Sequence, residues 1–519
     1  MNKQFRSLII LGVALVALLA VWLGSTLIPG LKPEETTTAA STSVEQTLYA
    51  AEAASVARIT VRNESGELVL TPKPATDTDG KATIAWDVAS ANGLPVNSTL
   101  LKGIVDAALN VTYSEVIAES TTDLASFGLA DGKVSLAITG QDGTTHTLTF
   151  GNELSSGVAT YARLDQENRV VAVSPNYKQQ ASTTLLALID TTKALGGLNF
   201  KTLTGLTFDR LEGAIHLMST CKANNPEDAA AGYAFTLSEP VNRPGNPTNL
   251  SAIVNGVLDL TGLQVIDLAP QDLSTYGLDQ PRYQIKLDSS EVPGVTFAIG
   301  KSAGEGLYYL TSSALMASST QPVVMTVSSS QLKAVDLAFE DYVDRYIALK
   351  EIWLVSSVDI DLGDLQFNIA IKMDKGQNSS DDNISFKLDG QDANIKDQKK
   401  NSLFSNFYQS LIGIQLTGFD FSATPANTAD SRIVYHLEAD PETSQPAKDL
   451  TIEFARRDAY TDYVFVDGQY TGYFANHQDT FTQDREGSEG LRIAYLKLKY
   501  AIDHAVNGVF NTEEGYQLN

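Results

Sequence analysis

Several groups of residues have types and spacings that could do chemistry. Gly300–Gly304 reads GKSAG and satisfies G-x-S-x-G, the strand-to-helix turn that exposes a nucleophilic serine in many hydrolases. The segment that follows, EGLYYLTS, has the pattern of a strand, so Ser302 is expected in a hairpin loop. The same GKS hints at a phosphate loop, but G-x-x-x-x-G-K-[ST] needs glycine at position 295, where the chain has Val295. DTDGK (Asp77–Lys81) and DGQDANIKD (Asp389–Asp397) combine carboxylates and glycine as calcium loops do. Both lack the full ligand set of an EF-hand, and both are read as polar turns. His146, His216, His436, His477 and His504 are scattered, without H-x-x-x-H or H-E-x-x-H spacing. The spacing therefore assigns no catalytic, metal or cofactor residue. The richest aromatic cluster is Tyr460, Tyr463, Phe465, Tyr470, Tyr473 and Phe474, closely followed by His477. Aromatic pairs across a hairpin stabilise it by roughly 0.2–1 kcal/mol each. The functional alternative is a stacking platform for glycan or peptide. On that reading Tyr460, Tyr463, Tyr470, Tyr473 and Phe474 are the candidate interaction surface.

The elements that must position such residues begin with a long apolar run. Lys3 and Arg6 precede 21 uncharged residues, Leu8 to Ile28. As a helix these span roughly 30 Å, the thickness of a hydrocarbon core. An uncleaved anchor is expected, with Lys3 and Arg6 on the cytoplasmic side. Pro29-Gly30 ends the helix, and Ala39-Ala40 leaves cleavage open. The polar stretch from Lys32 to Gln46 reads as a flexible tether. Over the whole chain, 62 acidic residues against 37 basic ones give a net charge of −25. Such a field repels phosphate backbones and anionic lipid surfaces, so nucleic acid is not an expected partner. Cys221 is the one cysteine, so no intramolecular disulfide and no cysteine-rich zinc site can form.

The chain also repeats itself. Leu100–Gly151 lies on Asn249–Gly300 without a gap. Ile104, Val105 and Leu109 match Ile253, Val254 and Leu258 on one helix face. Asp123-Leu124 and Gly128-Leu129 match Asp272-Leu273 and Gly277-Leu278, with Phe127 facing Tyr276. In this DLxx[FY]GL phrase the aspartate is expected to cap a short turn that glycine ends at positive φ, the leucine then re-entering the core. A catalytic role for Asp123 and Asp272 is the sharper alternative. Alternating runs follow each phrase and predict antiparallel strands. Apolar helices are expected from Leu185 to Leu195 and from about Ser330 to Leu349. A diverged third copy opens at EIWLVSSVDI, and its Leu416-Thr417-Gly418 echoes Leu260-Thr261-Gly262. It contains an Asp467-Gly468 hairpin turn and closes on the helix LRIAYLKLKYAIDHAV.

The fold class is thus α+β: an N-terminal transmembrane helix followed by tandem β-rich modules, each of antiparallel strands with one or two packed helices. Residues 1–30 are cytoplasmic tip and anchor, and 31–54 the tether. The modules occupy 55–205, 206–349 and 350–510, and 511–519 is a tail.

The strand pair before AWDV, the DLASFGLADGKVSLAI phrase and the TLTFGNE…YARLD…VVAVS close resemble bacterial proteins of the domain of unknown function 4340 family. The resemblance covers about 55 to 350 well and the rest weakly. It implies a membrane segment and an extracytoplasmic β-rich repeat region, and an envelope accessory role alongside ABC-type transporters. It brings no catalytic residues. The expected function is therefore a membrane-anchored, non-catalytic binding or scaffolding accessory of the cell envelope, with a transporter or envelope protein as partner. The alternatives are a glycan-directed envelope hydrolase with a site between modules, and a lipid- or peptide-binding module.

Overall fold

The period-two runs place their apolar side chains on one face, Leu136 and Ile138 in the first copy and Ile285 and Leu287 in the second, all buried. In this computed structural model the described residues are 45–155, 157–316, 322–374, 383–439, 446–485 and 489–518. The expected anchor and most of the tether lie outside them. Among the described residues no helix is long and apolar enough to cross a membrane.

Strands β1–β9 are Gln46–Ala50, Val56–Asn63, Gly66–Thr76, Ala82–Val88, Asn110–Ala118, Val134–Gly140, Thr145–Glu153, Thr160–Leu164 and Val170–Val173. Strands β10–β18 are Leu203–Arg210, Ile215–Ala223, Tyr233–Glu239, Arg243–Pro244, Gln264–Asp267, Tyr283–Ser289, Val295–Gly304, Leu307–Ser312 and Val324–Ser328. Strands β19–β27 are Val355–Asp361, Gln366–Asp374, Asn383–Leu388, Gln391–Asp392, Leu416–Phe419, Ser431–Leu437, Lys448–Arg456, Thr461–Val466 and Gln469–Asn476. Each set forms one sheet, antiparallel throughout. The order β5-β9-β8-β7-β6-β2-β3-β4 recurs as β14-β18-β17-β16-β15-β10-β11-β12 and as β23-β27-β26-β25-β24-β19-β20-β21. The third copy, whose phrase has decayed, therefore keeps the topology of the first two. A helix precedes the corresponding strand of each sheet, β5, β14 or β23: α1 (Ser98–Leu109), α4 (Pro247–Leu258) and α5 (Leu403–Ile412), with α2 (Pro175–Ala181), α3 (Leu185–Leu188) and α6 (Leu491–His504) also present among the described residues. The matched residues of the repeat, Ile104 with Val105 and Ile253 with Val254, form the buried faces of α1 and α4.

The described chain forms two compact units, one of residues up to Ser90 with Val96–Leu188, the other of Ala91–Pro95 with Ile189–Asn519. The first contains the β1–β9 sheet. The second contains the other two.

The repeated phrase folds as its residue types require. Asp123 accepts from the Ser126 N–H at 3.2 Å, and Asp272 from the Ser274 N–H at 2.9 Å. Gly128 and Gly277 end the two turns at φ 69° and 65°. Phe127 packs edge-on against Tyr161, and Tyr276 against Tyr309, each with ring centroids 5.0 Å apart. Leu129 and Leu278 enter the core. The glycine that closes each phrase, on β7 or β16, has a separate cause. A Cβ on Gly151 would lie 2.1 Å from the Phe127 carbonyl oxygen, and one on Gly300 2.2 Å from that of Tyr276. The turn is pressed onto the strand too closely for any side chain.

The third module shows the converse. Phe150 opposes Val134, Ile299 opposes Tyr283 and Phe454 opposes Ser431, so Ala455 holds the place of Gly151 and Gly300. Among the described residues no 3-10 turn lies between β23 and β24, where the first two modules have theirs before the corresponding strand. Tyr463 holds the place of Tyr161 and Tyr309, and the Arg457 guanidinium lies over it, 5.7 Å from the ring centroid.

Several expectations are corrected. The tether does not extend to residue 54, because Gln46–Ala50 is strand β1, paired with β5. The segment Leu185–Leu195 is not one helix: α3 ends at Leu188 and Asp190 caps a separate 3-10 turn through Thr192. That turn belongs to the second compact unit, where Ser312 donates to the Ala194 carbonyl at 2.5 Å. The boundary at 205 falls inside β10. The tail at 511–519 is not free, since the Tyr516 ring packs 5.2 Å from Phe510 and 6.2 Å from Tyr500. The Leu-Thr-Gly echo is not structural: Leu416–Gly418 lies in β23, whereas Leu260–Gly262 precedes β14.

Nor is Ser330–Leu349 a helix. It contains only the short turns Ser329–Gln331 and Phe339–Tyr342. The carbonyls a helix would need are already taken, those of Val335 and Leu337 by Arg210 at 3.1 and 2.7 Å and that of Ala334 by the Tyr342 hydroxyl at 2.7 Å. The extended stretch after it joins two sheets. Asp344 N–H donates to the Pro244 carbonyl, while Ile347 N–H donates to Ile414 and Leu416 N–H to the Arg345 carbonyl, all within 2.9 Å. The buried Arg243 donates to the carbonyls of Asp344 and Tyr346. Its guanidinium also lies 4.7 Å over the Tyr473 ring.

Gly151→Ala and Gly300→Ala should each destabilise their module by about 2–3 kcal/mol, because backbone must move to admit the methyl. Ala455→Gly should lose only about 1 kcal/mol. Urea denaturation of the three variants checks the contrast, and equal losses at all three sites would refute the account.

Candidate binding cleft

The motifs singled out in the sequence are used locally. Ser302 sits in β16 at the hairpin end, its hydroxyl donating to the Leu307 carbonyl at 3.4 Å, with no helix after it. Asp77 accepts the N–H groups of Asp79 and Lys81 within its own turn. In the second acidic segment Asp389, Asp392 and Asp397 accept from the N–H groups of Asn368, Asn394 and Asn401. Asp123 and Asp272 are held below the usual carboxylate range by the Ser126 and Ser274 hydroxyls and N–H groups, as capping requires.

The histidines are likewise engaged. His146 lies 2.9 Å from Asp165, and His216 lies between Asp209 and Glu239. His436 bridges Asp449 at 2.7 Å and Asp359 at 2.9 Å, from the two strands flanking its own. His504 donates to the Tyr500 carbonyl at 2.9 Å. His477 forms the arrangement nearest to catalytic chemistry, which spacing alone does not reveal. Arg456 and Asp462 face each other as the last rung of β25–β26, and His477 follows β27. His477 Nδ1 is 2.6 Å from Asp462, whose side chain is 2% exposed. Arg456 is 3.0 Å from His477 Nε2 and 3.3 Å from the other Asp462 oxygen. Burial raises Asp462 above the ordinary carboxylate range, with His477 and Arg456 opposing it. With Arg456 on Nε2 and Asp462 on Nδ1, neither imidazole nitrogen faces a substrate. The trio closes the end of the hairpin.

The aromatic hairpin forms as expected, Asp467 and Gly468 turning at φ 49° and 76°. Its rings do not share one platform. Tyr460 is 77% exposed. Tyr463 and Phe474 flank Arg457, Tyr470 donates to the Asp420 carbonyl at 2.9 Å, and Phe465 packs against Tyr470. Tyr473 is buried beneath Arg243, which corrects its assignment to an accessible surface.

A cleft of about 1210 Å³ opens elsewhere in the same module, among α5, α6, the start of β23, the turn Gln478–Thr482 and the C-terminal segment. Its walls follow from amphipathic patterning. α5, capped by Ser402, buries Leu403, Phe404, Phe407, Tyr408 and Leu411 and leaves Asn406 and Gln409 exposed toward the cleft. α6 buries Leu491, Ala494, Tyr495 and Leu498 and presents Lys497. Burial disfavours the Lys497 ammonium, but hydrogen bonds to Asp484 at 2.7 Å and Glu489 at 3.2 Å outweigh it, so its pKa is raised. Lys399 and Arg485 also line the cleft and form no ion pair among the described residues. These residues lie between positions 345 and 516 without a shared motif, so no spacing could have found them. The lining groups donate and accept hydrogen bonds and carry charge of both signs.

The signature of the family Domain of unknown function (DUF4340) matches residues 86–230 and 236–438. The chain belongs to this family. The first match begins in β4 and ends after β11, and the second begins in β12 and ends just after β24 of the third module. No curated protein and no solved structure matches the chain.

Two predictions follow from the engaged side chains. Hydrogen bonds to Asp359, then to Asp449, raise the His436 pKa above its ordinary value. A raised folded pKa stabilises fully below the unfolded value of about 6.5 and is lost as pH climbs through the folded value. The stability gap between the native chain and His436→Asn should thus be widest near pH 5.5, about one unit below that value, and shrink toward pH 8.5. Urea midpoints at the two pH values measure it, and a gap that widens with pH would refute it. Burial pushes the Cys221 thiol up to about 12. A thiol reagent at pH 8 should label it only in denaturant; rapid labelling of the folded chain would contradict the buried placement.

Proposed function

We propose that the chain is a membrane-anchored, extracytoplasmic accessory of the bacterial cell envelope that binds or scaffolds without chemistry of its own. The observation that carries the reading is the threefold use of one sheet topology, with acidic and histidine side chains spent on caps, turns and cross-strand pairs. A tandem scaffold of this kind multiplies surface. The apolar run Leu8–Ile28 supports the anchor, and the net charge of −25 keeps the exported part off anionic lipid. The cleft in the third module supplies a site for what is bound. An ABC-type transporter or another envelope protein is the partner class in this proposal.

Protease added to intact spheroplasts should degrade the chain and leave a short N-terminal remnant. Crosslinking in the same cells should attach it to membrane proteins of the transporter class. A chain fully protected until the membrane is lysed would overturn the topology.

A further inference from the structure

The third-module cleft is larger than the roughly 300–1,000 Å³ pockets that hold single small molecules, so its occupant is extended. Exposed amides line it: Asn401, Asn406 and Gln409 near α5, and Gln415 at the entry to β23. Each amide offers both a donor and an acceptor, the pairing that vicinal sugar hydroxyls offer in return. Tyr346, 38% exposed, adds a ring that can lie against the apolar face of a sugar.

The charge narrows the class further. In a chain of net charge −25, four cations line the cleft against three carboxylates. Arg345 is held by Asp341, and Lys497 by Asp484 and Glu489, whereas Lys399 and Arg485 form no ion pair among the described residues. Against desolvation, the Asn401 hydrogen bonds and then the nearby Lys399 hold the Asp397 carboxyl below the usual range, so Arg485 is the less committed of the two. Of the carboxylates, Glu489 is neutralised by Lys497 and Asp397 accepts from Asn401 at 2.9 Å. Asp479 remains as an acceptor for hydroxyl groups. A guanidinium and an ammonium with no ion pair among the described residues, beside amides, suit a hydroxyl-rich chain bearing carboxylates.

We propose that this cleft binds an acidic oligosaccharide, with Lys399 and Arg485 taking its carboxylates and the amides its hydroxyls. The proposal rests on the binding role above and names its ligand class. The test uses the full-length chain in detergent and isothermal titration with a galacturonate tetramer, cellotetraose and polyglutamate. The galacturonate should bind at one site, and Lys399→Ala/Arg485→Ala should weaken it at least tenfold with unchanged melting. Asn406→Ala/Gln409→Ala should weaken it too, whereas Lys81→Ala, in a turn before β4, should not. Tighter binding of polyglutamate would overturn the saccharide in favour of an acidic peptide. Preference for cellotetraose would overturn the role of the two cations. Absence of binding by all three would overturn the cleft's ligand while leaving the spheroplast result standing. A chain protected in spheroplasts that still binds galacturonate would overturn only the envelope reading.

Discussion

A carbonyl oxygen pressed against a glycine Cα sets the geometry of the first two modules. The turn carrying Phe127 or Tyr276 sits directly on β7 or β16, where Gly151 or Gly300 leaves room for it. From that contact follow the placement of the ring on Tyr161 or Tyr309 and the entry of Leu129 or Leu278 into the core. The turn thus works as a clamp between the connection and the sheet. The third module dispenses with it. With Ala455 in the strand, the space above Tyr463 is covered by Arg457, tied to Asp458 and Asp420 at 3.1 and 3.5 Å. A charged side chain there replaces a backbone turn.

What was legible in the sequence was local chemistry with a fixed period. The buried faces of α1 and α4, the capped turns with positive-φ glycine, and the Asp467-Gly468 hairpin all declare themselves through residue types at short spacing. What was not legible depended on distant groups. Gln46–Ala50 reads as polar tether until β5 offers it an edge. Ser330–Leu349 has helical character, yet Arg210, far away in sequence, claims the carbonyls a helix would use. The cleft was hidden for the same reason, its walls coming from two helices, a strand and the C-terminal segment. Among the hairpin aromatics, Tyr460 was read as exposed and is, whereas Tyr473 is covered by Arg243 from another sheet.

The electrostatics follow a similar economy. Acidic side chains in the turns accept N–H groups of their own loops, so much of the chain's negative charge is committed to local structure. The trio of Arg456, Asp462 and His477 does this at depth. A carboxylate with 2% exposure keeps company with one imidazole and one guanidinium, because removing either would strand a buried charge. Arg485 stands apart from that pattern, forming no ion pair among the described residues.

The extended segment around Asp344 to Ile347 has a thermodynamic meaning. Its backbone donates to one sheet through Pro244 and to the next through Ile414, and Arg243 ties its carbonyls to the Tyr473 ring. Melting of either sheet strips hydrogen bonds from the segment that also edges the other. The shared segment therefore couples the unfolding of the two sheets.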